Sequence, residues 1–320
     1  MKGFRFWHEL TLVMLVLTVL GAARGLDPLF LSWEVQRELS THVWEIAILA
    51  IPMTMIIITA GIDLSIGGMM ALCAISLGML YQAGVSPWLA AIAGTFVATF
   101  CGVFNGWMIT RIKVHPLIVT LATMAAFRGA AEGISQAKPV SGLPDSFAWL
   151  GQGELMGMPV PAWIFLAFFV LACCFLLLTP WGKYCYAVGF NPVACRFSGV
   201  AVDRLLLGLY AFSGFSSGVA AVLFVARRNT AKADIGMGIE LLVITAVVIG
   251  GVSIFGGRGH LIGTALGVLL IHETREFVSW RWNRDELNFI VIGSLLILSV
   301  LLQRLLSPRA KRAQLDWSDL

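Results

Sequence analysis

The chain has 320 residues, of which 58% are hydrophobic and only 12% charged, with a formal net charge of +4 and a mean hydropathy of +0.87. That balance excludes a soluble globular chain and describes an integral membrane protein. Apolar runs long enough to cross a roughly 30 Å hydrocarbon core recur throughout, and no polar stretch is large enough to fold as a soluble domain. Residues 1–320 therefore read as one transmembrane domain.

The first apolar run, residues 8–24, follows a basic start and ends near Ala22 and Ala23, as a secretory signal does. His8 and Glu9 at its entry are poor signal features, so it reads as an uncleaved first helix. Further spans are predicted at 43–60, 63–82, 88–110, 116–134, 161–179, 205–226, 240–255, 260–276 and 288–306. Backbone in lipid must satisfy its own hydrogen bonds, and these runs lack the period-two alternation of barrel strands, so they are helices. The fold class is an all-α polytopic bundle of about ten transmembrane helices. Little but glycine separates 43–60 from 63–82 and 240–255 from 260–276, which leaves broken or re-entrant helices as the competing reading there.

An even number of spans puts both termini on one side. The tails carry Lys2, Arg5, Arg304, Arg309, Lys311 and Arg312, and the short loop "RIKVH" is basic and free of acids, so that side is predicted to be cytoplasmic. Cys73, Cys101, Cys173 and Cys174 fall in apolar helices, and Cys185 and Cys195 lie in a loop placed in the reducing cytoplasm. All six read as free thiols used as small hydrophobes. The five histidines show no metal-ligand spacing, and the glycine-rich run "GGVSIFGGRG" lacks the lysine of a phosphate loop. Neither a catalytic residue, a metal site nor a bound cofactor is expected, and nothing suggests a nucleic-acid partner.

The stretch "IIITAGIDLSIGGMMAL" places Asp63 among apolar residues. A lone charge in lipid costs about 2.5–3.5 kcal/mol even on the lenient insertion scale, so Asp63 must face protein or water. It either caps the following helix by accepting the N–H of Ser65 or Ile66, or offers hydrogen bonds to a solute beside the path. Ser65, Asn105 and Ser253 are the other candidates for a translocation path. "ITAGIDLSIGG" from Ile58 and "ITAVVIGGVSIFGG" from Ile244 form a soft internal repeat that pairs the two doubtful breaks, the kind of place where transporters bind substrate. Ser213, Ser216 and Ser217, with Gly214 and Gly218, mark a tight helix-packing face.

Residues 180–204 form the most informative polar segment. Within it "NPVACRFSGV" predicts a short helix capped by Asn191, with Pro192 at its first position and Gly199 at its end. Such a helix is either a structural loop or a docking surface for a cytoplasmic partner.

"GFNPVACRFSGVAVDR", followed by "FSGFSSGVAAVLFVAR" and "ELLVITAVVIGGVSIFGGRGHLIGTALG", resembles the permeases of bacterial sugar ABC importers, as do "AGIDLSIGGMMAL" and "GGRG". The resemblance covers nearly the whole chain. It implies a multi-pass permease of the bacterial inner membrane that pairs with a second permease subunit, itself or a sister chain, and sits among membrane lipid. It also implies two cytoplasmic ATPase subunits and a periplasmic sugar-binding protein that delivers a monosaccharide, with a deoxysugar such as rhamnose among the sugars it suggests. ATP would be bound and hydrolysed by the partner chain. Asn191, Ala194, Ser198, Gly199 and Val202 match the family's cytoplasmic pattern, and by that resemblance they, with Arg196 between them, would touch the ATPase. Cys195 departs from the alanine expected there. The rival reading is an ion-coupled secondary transporter, for which Asp63 is the main intramembrane acid. At the outer surface, "IHETREFVSWRWNRDELN" carries Arg275, Arg281 and Arg284, candidates for pairing with carboxylates of a binding protein, and Trp280 and Trp282, which read as interfacial anchors.

Overall fold

The computed structural model describes residues 2–282 and 285–306. Its helices are α1 (Lys2–Leu26), α2 (Trp33–Leu39), α3 (Trp44–Ile58), α4 (Ile66–Gln82), α5 (Pro87–Trp107), α6 (Pro116–Ser135), α7 (Asp145–Gln152), α8 (Val160–Leu178), α9 (Pro180–Phe190), α10 (Pro192–Phe197), α11 (Val202–Arg228), α12 (Ile239–Ile249), α13 (Leu261–Trp282) and α14 (Asp285–Leu306). Two short antiparallel ladders, Val140–Ser141 with Thr230–Ala231 and Glu154–Leu155 with Met158–Pro159, join loops at one end of the bundle. Each predicted span is occupied by a helix, so the all-α membrane bundle stands. Arg284 and the tail residues Arg309, Lys311 and Arg312 lie outside the described residues.

Proline and a capping side chain start several helices where the sequence leaves the membrane edge. Ser86 accepts from Leu89 N–H ahead of Pro87, His115 from Leu117 N–H ahead of Pro116, and Thr179 from Gly182 N–H ahead of Pro180. In each case the cap takes an otherwise unpaired helix donor, and proline occupies a position that has no donor to lose.

The ten predicted spans differ in length. Among the described residues, five helices are long and apolar enough to cross a membrane: His8–Leu26, Pro87–Ile112, Pro116–Ser135, Val160–Leu178 and Val202–Arg228. A sixth passes if α2 and α3, bent by 54°, are taken as one span. By contrast α3 has 15 residues, α4 17 and α12 only 11. At 1.5 Å per residue α12 rises about 16 Å, roughly half the hydrocarbon core. At both glycine-rich junctions the chain thus breaks between separate helices, α3 from α4 and α12 from α13.

The core explains why breaks are tolerated there. Every residue of α3 from Glu45 to Ile58 is buried, as expected of a helix apolar on all sides. It runs through the middle of the bundle against α8, α11, α12 and α13. Leu171, Leu177 and Leu178 of α8, at 69%, 67% and 77% exposure, instead form an outward face suited to lipid. Irregular backbone at membrane depth survives only inside protein or along a wet cavity, and both breaks adjoin the buried end of α3.

Glycine sets the spacing of the tightest helix pair. A Cβ on Gly214 of α11 would run into the Ala98 carbonyl of α5, and one on Gly218 would come 2.8 Å from Thr95 Cα. Gly102 of α5 is equally constrained by the Tyr210 carbonyl and the Gly214 backbone. The packing face predicted on α11 thus meets a matching glycine face on α5, and Ser213, Ser216 and Ser217 are all fully buried in it.

Candidate functional site

The chain directions sort the molecule into two ends. At one end lie the start of α1, the junction of the two breaks at Ile58 and Gly257, and α9–α10, while the first break runs inward from there to Asp63, beside Ser213 in the middle of α11. At the other lie the starts of α3, α12 and α14 and the ends of α11 and α13.

Asp63 sits in the first break, ahead of α4, with no exposed surface. Its Oδ1 accepts from Ser65 N–H at 3.0 Å and from the Ser65 hydroxyl at 2.6 Å, and its Oδ2 accepts from the Ser213 hydroxyl of α11 at 2.6 Å. Asn105 of α5 donates through Nδ2 to Ser65 Oγ at 2.8 Å. Just before it, the Ile62 carbonyl accepts from Thr120 of α6 at 3.3 Å and from the Tyr210 hydroxyl at 3.4 Å. Three of the path candidates, Asp63, Ser65 and Asn105, therefore come together in one polar knot that ties the break to α5, α6 and α11. The Asp63 carboxylate takes the N–H of Ser65, one of the two donors named for a cap. It also reaches 150 positions along the chain to Ser213, a bond that the local sequence did not reveal.

Ser253, the fourth candidate, belongs to the second break. Its N–H donates to the Arg258 carbonyl at 3.0 Å and its hydroxyl oxygen accepts from Phe255 N–H at 3.3 Å, closing a turn that includes Gly256 and Gly257, both at positive φ. Gly257 N–H donates to the Ile58 carbonyl at 2.8 Å, the last residue of α3, so the two breaks are joined backbone to backbone. Their pairing is real, but not in the register of the soft repeat: the first I-T-A ends α3, whereas the second, Ile244–Ala246, lies inside α12.

Helix α9 closes this junction from below. A Cβ on Gly189 would run into the Ile58 carbonyl and Gly257 N, and one on Gly257 would lie 2.9 Å from the Phe190 ring. Tyr186 donates to the Gly259 carbonyl at 3.1 Å. The start of α1 docks on the same region, with His8 Nε2 3.1 Å from the Ile249 carbonyl and Glu9 3.5 Å from His260. The two residues that made α1 a poor signal thus hold it to the second break.

From α9 the chain enters the segment singled out at 191–202. Asn191 accepts from Ala194 N–H at 2.9 Å, Pro192 occupies the first turn of α10, and Gly199 follows at φ +81°. Asn191, Ala194, Ser198, Gly199 and Arg196 are exposed, and Arg196 pairs with Asp203 at 2.6 Å. Val202, at 2% exposure, is buried and anchors the start of α11, so it is not a surface residue. Cys195 also points inward, which makes its departure from alanine a packing matter. The face that α10 does present is apolar: Phe197 is 90% exposed, and Phe190 and Val193 are exposed beside it. Sequence reading missed Phe197, although an aromatic within a polar loop was the available signal.

At the opposite end, Arg281 is exposed with its guanidinium 6.0 Å from the Trp282 ring centre, while Arg275 is only half-exposed and lines a cavity of about 390 Å³. Glu45, at the start of α3, and Arg227, at the end of α11, lie on the same cavity and form a nearly buried ion pair with oxygen–nitrogen distances of 2.9 and 3.2 Å. Trp280 Nε1 donates to Asp27 at 2.8 Å, fixing the end of α13 to the turn after α1.

Residues 38–300 match the family model described as branched-chain amino acid transport system / permease component. The chain belongs to that permease family. It is 34% identical over 302 residues to the autoinducer 2 import system permease protein LsrD of Escherichia coli O9:H4 (strain HS), covering 92% of each chain. The LsrD proteins of Escherichia coli K12 and Shigella flexneri match with the same identity and coverage. No solved structure gives a significant match. The protein is a multi-pass membrane permease, as its sequence resemblance implied.

Proposed function

We propose that this chain is the membrane-spanning subunit of an ATP-binding cassette importer that carries a small sugar-like solute into the cytoplasm. The solute would be of the autoinducer-2 or monosaccharide kind, a deoxysugar such as rhamnose included. What carries the reading is the near full-length relationship to import-system permeases. ATP hydrolysis belongs, in this reading, to separate cytoplasmic subunits, delivery to a periplasmic binding protein, and completion of the pathway to a second permease subunit.

The exposed face of Phe190, Val193 and Phe197 is the coupling surface of this reading, and residues 180–204 form the loop that presents it. Helix α9 stands between that face and the joined breaks, with Gly189 against the Ile58 carbonyl and Tyr186 on Gly259. A push on α10 would therefore reach both helix breaks through one rigid element. With both termini cytoplasmic, the Ile58–Gly257 junction of the breaks lies toward the inner side and the Glu45–Arg227 cavity faces outward.

Ion coupling through Asp63 is the competing mechanism. Against it, both Asp63 oxygens are held by serine donors and the residue has no exposed surface. Reconstitution in liposomes with the matching ATPase and binding protein tests the choice. The chain alone should hydrolyse no ATP, and the complete importer should show ATPase activity that rises with loaded binding protein. Uptake should persist when the proton gradient is collapsed with ATP maintained. Loss of uptake under that condition, or hydrolysis by the chain alone, would overturn the proposal.

A further inference from the structure

The outer cavity contains polar groups that the fold does not use up. Its lining draws on six helices, with Glu45 and Ile46 from α3, Met70 from α4, Phe224, Arg227 and Arg228 from α11, Leu242 and Thr245 from α12, Arg275 from α13, and Asn288 and Gly293 from α14. Asn288 is 5% exposed and donates through Nδ2 to Ser279 Oγ at 2.7 Å, yet its Oδ1 has no partner. If the amide were turned over, the nitrogen would be stranded instead, so one buried polar atom is left over either way. Leaving such an atom unpaired costs about 1–3 kcal/mol, which makes it a position that gains from a ligand.

The rest of the lining indicates what kind of ligand. Glu45 and Asn288 supply acceptors, the guanidinium groups of Arg228 and Arg275 supply donors, and Phe224, Ile46 and Leu242 form an apolar wall. A purely anionic ligand would use the arginines and leave the acceptors empty, whereas an acyl chain would strand every polar group. A small ring carrying several hydroxyls, each both donor and acceptor, and a C–H face for the apolar wall matches all three. The volume, about 390 Å³, falls at the small end of the roughly 300–1,000 Å³ usual for small-molecule sites.

We infer that this cavity is a solute-binding vestibule on the permease itself, where a single-ring polyol received from the outside is held by Asn288, Glu45 and the neighbouring arginines before it passes inward. The inference rests on the import reading above. It adds a site that selects for hydroxylated solutes within the membrane subunit, beyond the selection made by a binding protein.

Gly293 provides a clean test. It lines the cavity, and a Cβ built on it meets nothing within 4 Å, so Gly293→Phe adds a ring at the lining without a clash at its base. Asn288→Leu, close in shape, removes the free acceptor. Both variants are made in the complete importer, with radiolabelled rhamnose, ribose and autoinducer-2 as probes. In the wild type, uptake of at least one probe that requires ATP supports the import reading; no such uptake for any probe, or uptake without ATP, defeats that reading. Given a transporting wild type, each variant should lower uptake by about tenfold or more while ATPase activity stimulated by the binding protein stays within about twofold. Gly293→Cys adds a direct readout: its modification by a membrane-impermeant thiol reagent from outside should be slowed when the transported probe and binding protein are present. Should Asn288→Leu fail to fold, Gly293→Phe and the Cys protection decide alone. Normal uptake through Gly293→Phe, or modification of Gly293→Cys unaffected by the probe, overturns the vestibule.

Discussion

Replacing Asp63 tests whether the first break is held by hydrogen bonding or kept for solute. Asp63→Ala removes the acceptor of three donors: Ser65 N–H, the Ser65 hydroxyl and the Ser213 hydroxyl. The two hydroxyls can rotate toward other acceptors, Ser213 toward the carbonyl one turn back on α11. The Ser65 N–H cannot. A stranded buried amide costs about 1–3 kcal/mol and each lost charge-assisted bond about 1.5–3, while removing a buried carboxylate returns part of its desolvation cost, so the net loss is about 3–5 kcal/mol. That exceeds the roughly 1 kcal/mol of an ordinary helix cap, because the third bond ties the break to a different helix. Asp63→Asn keeps Oδ1 for both Ser65 donors and puts an amide N–H against Ser213 Oγ, a loss of about 1–2 kcal/mol. The assay is the recovery of monodisperse protein and its thermal midpoint in detergent, measured beside uptake. The expected order is wild type, then Asn, then Ala, with Ser213→Ala lowered as well and the Asp63→Ala, Ser213→Ala double variant less destabilised than the sum of the singles. Normal recovery and melting of Asp63→Ala, with uptake lost and ATPase association intact, would refute this reasoning and assign the carboxylate to the transport path.

Gly199→Val should insert and fold but lose ATPase association in pull-down, because φ +81° disfavours a branched residue by about 1–2 kcal/mol although no atom lies within 4 Å of the added Cβ; full association would remove residues 191–203 as the coupling surface. Phe197→Glu should leave recovery and melting unchanged, since the ring is 90% exposed, yet weaken ATPase binding by about tenfold or more, as the loss of an aromatic anchor does. Gly214→Leu and Gly218→Leu should sharply lower recovered folded protein. Gly208→Leu on the same helix should not, because its Cβ direction is open, so equal recovery of all three variants would contradict the α5–α11 packing.

Much of the architecture was legible in the sequence. Apolar runs located every membrane helix, because in lipid a buried backbone has no alternative to helical pairing. The short helix at 192–197 was equally readable, since Asn191, Pro192 and Gly199 act on their own backbone within a few residues. The helix breaks could be located from glycine but not interpreted: whether a run of 11 residues spans or stops halfway depends on what covers its open end. Tertiary structure supplied that cover by joining Gly257 N–H to the Ile58 carbonyl and setting α9 against both. It also converted isolated residues into groups. Asp63 acquired Ser213, Arg275 turned from the surface toward a cavity, Val202 went inside, and Asn288, unremarkable in sequence, became a buried amide with an unused oxygen. Local signals are written in neighbouring residues because propensity, capping and hydropathy act over one or two turns. Pairings between positions 150 or more apart arise only when whole helices pack, and a single sequence carries no mark of which polar residue will meet which.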